Sequence, residues 1–131
     1  MSWYIDSSAI LKLLIAEKES AALTGFIDVK LMSSVLTRVE VIRSLHRISP
    51  EKIPDATAIL AGLDLTPVNP FIIDIAENFG PLITLKSLNA IHVATTIFLN
   101  TTVQGLITYD KQMIANAKML GVHVVSPGMK S

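Results

Sequence analysis

Short strand-like runs alternate with stretches of helical periodicity along nearly the whole chain, and this alternation constrains the fold more than any other feature. Trp3-Tyr4-Ile5 reads as a strand ending at Asp6, and the apolar spacing of Ile10, Leu11, Leu14 and Ile15 predicts a helix that Ser7 or Ser8 can cap. Lys18 to Phe26 predicts a second helix and Leu31-Met32-Ser33 a second strand. A third helix is expected from Leu36 to Ile48, apolar at Leu36, Val39, Ile42 and Leu45 and ended by Pro50. A fourth helix runs from about Pro54 to Gly62. Leu65-Thr66-Pro67-Val68 is then a short extended segment whose proline suits a sheet edge.

Phe71 to Phe79 predicts a further helix ending near Gly80-Pro81, and Ser87 is expected to cap a helix from Leu88 to about Leu99. Gly105-Leu106-Ile107-Thr108 reads as a strand, Lys111 to Leu120 as a helix closed by Gly121, and Val122 to Val125 as the last strand. Strands that alternate with helices in this way predict an α/β fold of three layers, α/β/α, around a short and mainly parallel sheet. At 131 residues the chain has the size of a single domain over 1–131, with one substantial core and no room for two.

In parallel sheets functional groups collect beyond the carboxyl ends of the strands. Asp6 follows the first strand and Asp110 follows Gly105-Leu106-Ile107-Thr108-Tyr109. Glu40 lies in the third helix among Val39, Val41 and Ile42, where polar surface is scarce, and so is expected to border a cleft. Each also has a structural reading. Asp6 can start a helix, Asp110 can cap the one beginning at Lys111, and Glu40 can pair with Arg43 or Ser44 on an exposed face.

If the three carboxylates converge they repel one another, at a cost of about 4 kcal/mol per pair at about 4 Å and an effective dielectric near ~20. A bound cation is the simplest remedy. The chain has no cysteine and no histidine pair at zinc-ligand spacing, so oxygen ligands select Mg²⁺ or Mn²⁺ over zinc. Such a site can activate water and stabilise charge on a phosphodiester, with one ion or with two placed about 3.5 to 4 Å apart.

Charge and hydropathy narrow the partners. Eleven basic residues balance eleven acidic ones, which excludes a generic polycation and makes any contact with nucleic acid local. A mean hydropathy of +0.52 argues against disorder and for a heavily buried interior or an apolar interface. The apolar stretches Ala9 to Ala16 and Ala90 to Leu99 are too short to span a membrane, and Asp6 interrupts the N-terminal run before it resembles a signal peptide. The absence of cysteine fits a cytoplasmic location.

Four ordered segments carry a resemblance. They are Tyr4-Ile5-Asp6-Ser7-Ser8-Ala9, Arg38-Val39-Glu40-Val41-Ile42-Arg43, Leu85-Lys86-Ser87-Leu88-Asn89-Ala90-Ile91-His92-Val93-Ala94, and Thr108-Tyr109-Asp110 with the later Gly121-Val122. Each is weak alone, but in this order and spacing they resemble the PIN-domain family, and especially VapC toxins of type II toxin–antitoxin operons. The resemblance implies an α/β/α domain, metal-dependent cleavage of RNA, a homodimer, and a VapB-like antitoxin that occupies the active-site groove.

Carried over residue by residue, Asp6, Glu40 and Asp110 match the family's acidic positions, with Ser7 or Ser8 and Thr108 as polar neighbours. Asn89 departs from the pattern, which has aspartate there. An amide carbonyl can ligate a hard cation, but it brings no charge and cannot act as a base, so impaired activity is expected. Asn89 also suits the cap or first turn of its helix beside Ser87. His92, in an apolar helix, reads as a buried hydrogen-bonded side chain as well as a candidate ligand.

Arg38, Arg43 and Arg47 are candidates for phosphate contact, as are Lys12, Lys86 and Lys111, with solvated helix surface as the competing fate. Leu11, Leu14, Ile15 and Phe26 are candidates for antitoxin or dimer contact, with core packing as theirs. Two other classes fit less well. A haloacid-dehalogenase-like phosphatase needs a second aspartate where Ser8 stands, and a response-regulator receiver needs a phosphoacceptor that Thr66-Pro67-Val68-Asn69 lacks. The alternative of a different class is a PIN-like module that binds RNA or antitoxin without cleavage.

Overall fold

The computed structural model describes residues 2–27 and 30–129. A fully parallel sheet of five strands forms its middle layer, in the order β3-β2-β1-β4-β5. The strands are β1 (Ser2–Ile5), β2 (Leu31–Ser34), β3 (Asp64–Thr66), β4 (Val103–Ile107) and β5 (Val124–Val125). Tyr4 of β1 lies opposite Met32 on one side and Leu106 on the other. The chain winds outward from β1 through β2 to β3, then returns to the other side of β1 for β4 and β5. The order therefore reverses between β1 and β4, the place where a parallel sheet leaves a crevice at its carboxyl edge.

The period of two along β1 divides the core. Trp3 and Ile5 face a cluster with Ile10 of α1 (Ser7–Leu14), Leu23 of α2 (Ser20–Phe26), Val41 and Leu45 of α3 (Val35–Ile48), and Leu60 of α4 (Ile53–Ala61). Tyr4 faces the opposite cluster, with Val93 of α6 (Ser87–Phe98) and Met113 and Ala117 of α7 (Lys111–Met119). α5 (Pro70–Glu77) packs against α6. These are the three layers. Full burial of side chains such as Ile5, Ile10 and Leu45 contributes about 1.5–3 kcal/mol each, which is how such short strands are held.

Several local expectations are corrected. Neither Ser7 nor Ser8 caps α1: Asp6 does, its Oδ1 accepting from the Ala9 N–H at 3.0 Å, because a carboxylate one residue earlier reaches the free donors of the first turn. Ser87 is the first residue of α6, and Lys86 at its cap position makes no side-chain capping bond. Pro50 opens a single 3₁₀ turn, Pro50–Lys52, that leads directly into α4. β3 stops at Thr66 on the sheet edge, just before Pro67, and only Val124 and Val125 of the final segment pair.

Of the apolar positions expected to bury α3, Val39 is 56% exposed. Leu45 is buried as expected, Leu36 and Ile42 only in part, and the fully buried stripe is Thr37, Val41 and Leu45, spaced one turn apart. Leu14 is buried in the core, Leu11 and Ile15 pack against it while partly exposed, and Phe26 is 36% exposed and sits edge-on to Trp3 with centroids 5.3 Å apart. Gly105 in β4 has a steric reason to be glycine. A Cβ there would lie 2.4 Å from the His123 carbonyl oxygen and 2.9 Å from the Trp3 ring.

Candidate functional site

Asp6, Thr108 and Asp110 meet where the strand order reverses. Asp6 follows β1 and is 1% exposed. Its Oδ1 accepts from the Ser8 hydroxyl at 2.7 Å as well as from Ala9, and its Oδ2 accepts from the Thr108 hydroxyl at 2.5 Å. The same Thr108 Oγ1 accepts from the Asp110 N–H at 3.2 Å, and Ser8 Oγ accepts from the Tyr109 N–H at 3.0 Å. Ser8 rather than Ser7 is thus the serine of this network. Ser7, one position earlier on α1, lines the groove outside it.

Burial pushes the Asp6 carboxyl above its ordinary range, and hydrogen bonds from Thr108 and Ser8, the nearby His92 and the Ala9 N–H pull it back. Asp110 caps α7, its Oδ1 accepting from the Met113 N–H at 2.8 Å. Both aspartates thus serve as helix caps. A carboxylate has two oxygens, and in Asp110 the cap uses one of them.

Glu40 is half-buried on α3 and pairs with neither Arg43 nor Ser44. Its Oε1 meets His92 Nε2 at 2.5 Å, and the other nitrogen of that ring, Nδ1, is 2.6 Å from the Tyr4 hydroxyl. Tyr4 is fully buried, and burial together with the Asp6 charge raises its pKa well above the ordinary value. His92 is 1% exposed. The sequence reading placed His92 inside the protein but missed its link to Glu40. The available signal was the spacing of Asn89 and His92, three apart on one helix and so on neighbouring parts of one face.

Asn89 is the third residue of α6 and half-buried, a first-turn position rather than a cap. Leu88 beside it is 49% exposed and lines a hollow of about 610 Å³ together with Ser7, Glu40, Ser44, Arg43 and Arg47. Arg43 also lines a second hollow of about 350 Å³ with Arg38, Ile53 and Leu60, between α3 and α4. Arg38 therefore lies away from the Glu40 groove, whereas Arg43 and Arg47 border it. Lys12 is not free for a ligand: it pairs with Glu17 at 2.7 Å and Glu19 at 3.1 Å and lies over the Tyr109 ring. Lys86 and Lys111 are exposed at the starts of α6 and α7.

The donor set at this end of the sheet is oxygen-rich, and a buried carboxylate with a raised pKa is the kind of group a hard cation would stabilise. Among the described residues no three acidic, histidine or cysteine side chains stand close enough together to hold a metal ion. The donors fit a hard cation in kind, while their side chains are engaged in hydrogen bonds to the protein. Among the described residues, no helix is long and apolar enough to cross a membrane.

Comparison with known proteins gives a consistent picture. The PIN domain family matches residues 3–119. Ribonuclease VapC47 of Mycobacterium tuberculosis (strain CDC 1551 / Oshkosh) is 34% identical over 132 residues, covering 95% of this chain and 96% of that protein. Ribonuclease VapC46 of Mycobacterium tuberculosis (strain ATCC 25618 / H37Rv) is 39% identical over 126 residues with the same coverage. Among solved structures, a toxin–antitoxin complex from Klebsiella pneumoniae superposes with a TM-score of 0.76 at 19% identity, over 95% of this chain and 97% of that one. Mycobacterium tuberculosis VapC20, described as a toxin that cleaves the sarcin–ricin loop, also reaches 0.76, at 15% identity over 97% and 100%. At those identities the structures show a shared fold.

Proposed function

The chain belongs to the PIN-domain family, and we propose that it is a VapC-type toxin built as a metal-dependent endoribonuclease, impaired at one position of its site. The observation that carries this reading is the meeting of Asp6, Thr108 and Asp110 in the crevice between β1 and β4, with Glu40 at the edge of the adjoining groove. The relatives named ribonuclease, 34 to 39% identical over nearly the whole chain, support RNA as substrate. The matching toxin–antitoxin complex supports a VapB-like antitoxin as partner. A homodimer belongs to the same reading.

In this proposal the residues divide the work. Ser8 and Thr108 orient the Asp6 carboxylate, and Thr108 also holds the backbone at Asp110. Arg43 and Arg47 border the groove that leads past Glu40 and are placed to hold RNA phosphates. A bound Mg²⁺ or Mn²⁺ would draw on Asp6, Asp110 and Glu40 with the Asn89 carbonyl, which would have to close in from their present separation, and would supply charge neutralisation at the phosphodiester and make water more acidic. Asn89 contributes one charge fewer than an aspartate would, which weakens the hold on a cation.

A second reading is favoured by the same Asn89: a PIN-like module that binds RNA or antitoxin and cleaves nothing. Incubation of an RNA pool with Mg²⁺ or Mn²⁺, using this chain beside its Asn89→Asp variant, separates the two. The expected result is slow or absent cleavage by the parent and cleavage at least about tenfold faster by the variant, the lower end of the usual effect of restoring a metal-site group. If the variant binds RNA and leaves every strand intact, the nuclease reading is wrong.

A further inference from the structure

A buried imidazole with both nitrogens engaged joins three elements: Tyr4 on β1, His92 on α6 and Glu40 on α3. We propose that His92 is a positioning residue that aims the Glu40 carboxylate into the groove, with the Tyr4 hydroxyl holding the ring in its plane. The inference rests on the reading that Glu40 serves the site.

The chemistry sets the direction of the bond. An ionised carboxylate only accepts hydrogen bonds, so Nε2 carries the proton that faces Glu40 Oε1. That leaves Nδ1 to the Tyr4 hydroxyl, at 2.6 Å, in the floor of the α6 layer. The two rings stand edge to face, with centroids 6.0 Å apart and planes at 67°, so the imidazole cannot swing without losing its contact to Tyr4.

On the Glu40 side, the His92 bond is the side chain's hydrogen-bonding contact among the described residues, although Arg43 lies one turn away on the same helix. An unheld glutamate on a helix samples several rotamers, and ordering it costs conformational entropy. Here that ordering is done by the folded core in advance of any ligand. Glu40 keeps its second oxygen for the groove, which Ser7, Ser44 and Leu88 also line. A histidine present only to fill space would have no need to reach a half-exposed acid at the rim of a hollow.

The test uses the Asn89→Asp chain as background, with His92→Leu, His92→Gln and Tyr4→Phe added singly. Three quantities are read on folded protein: the χ1 distribution of Glu40 from three-bond NMR couplings, the affinity for Mn²⁺ alone by electron paramagnetic resonance, and kcat and KM for RNA cleavage. Expected for His92→Leu are averaged Glu40 couplings, Mn²⁺ affinity down about tenfold, and kcat down roughly 10- to 100-fold with KM changed less than about threefold.

His92→Gln, whose side-chain amide can still donate to Glu40, should restore a single rotamer and most of the affinity. Tyr4→Phe, which keeps the buried volume, should give partial averaging and a loss of several-fold. Unchanged Glu40 couplings in both His92→Leu and Tyr4→Phe overturn the proposal, as does a His92→Gln protein no better than His92→Leu. If His92→Leu does not fold, Tyr4→Phe and His92→Gln decide it. The coupling measurement answers for His92 even when no variant cleaves RNA, an outcome that counts against the nuclease reading alone.

Discussion

The Thr108 hydroxyl donates to Asp6 Oδ2 at 2.5 Å while its oxygen accepts from the backbone of Asp110, so one buried threonine joins two aspartates from opposite sides of the strand reversal. Asp6 has no other donor on that oxygen among the described hydrogen bonds. The short strand ends are thereby tied together at the point where the sheet opens. The C-terminal segment reinforces this: the Tyr109 hydroxyl donates to the Pro127 carbonyl at 2.7 Å, and Ser126 donates to the Thr108 carbonyl.

Thr108→Val keeps the shape of the side chain and removes the donor. Leaving a buried carboxylate oxygen unsatisfied costs about 1–3 kcal/mol, so urea denaturation should show a loss in that range with an unchanged m-value. Cleavage by the Asn89→Asp form should fall as well. A Thr108→Val protein as stable as its parent would mean that the bond to Asp6 carries no weight.

Asp6→Asn should raise stability at neutral pH while abolishing any cleavage. The raised pKa means that the folded protein binds the Asp6 proton more tightly than the unfolded chain does. That contribution is fully present below the ordinary value of 3.8 and is lost as pH rises through the higher folded value. The asparagine protein lacks this loss. Its advantage in unfolding free energy should therefore grow with pH across the window and then level off. Equal pH profiles for parent and variant would refute the account.

Arg43→Ala and Arg47→Ala should each weaken binding of single-stranded RNA and reduce the slope of log affinity against log salt by roughly 0.7, the release expected for one phosphate contact. Arg38→Ala, which alters the hollow between α3 and α4 instead, should leave the slope alone. Filter binding over a salt series distinguishes them. If Arg38 changes the slope and Arg43 and Arg47 do not, the RNA path runs on the other side of α3.

Much of the fold was legible because its signals are local. The order of strands and helices, the edge position of the segment before Pro67 and the placing of Asp6 and Asp110 just past strands all follow from periodicity and from turn and cap chemistry within a few residues. The errors were also local in kind. Ser7, Ser8 and Ser87 have the composition of caps, but which residue caps depends on where the backbone leaves the strand. Val39 has the composition of core, but the buried face of α3 is set by what α1 and α4 leave open.

By itself, then, the sequence determined the layers, the parallel sheet and the identity of the acidic residues and of the amide at Asn89. Tertiary structure alone decided how those groups meet. It drew Thr108 onto Asp6, 102 positions away in sequence, and His92 onto Glu40, 52 positions away. It also closed Lys12 into ion pairs with Glu17 and Glu19 while leaving Arg43 and Arg47 on the groove. The reason is physical: backbone preference and hydrophobic period act over a few residues, whereas the partner of a buried polar atom is chosen by whichever chain segment packing brings within about 3 Å of it.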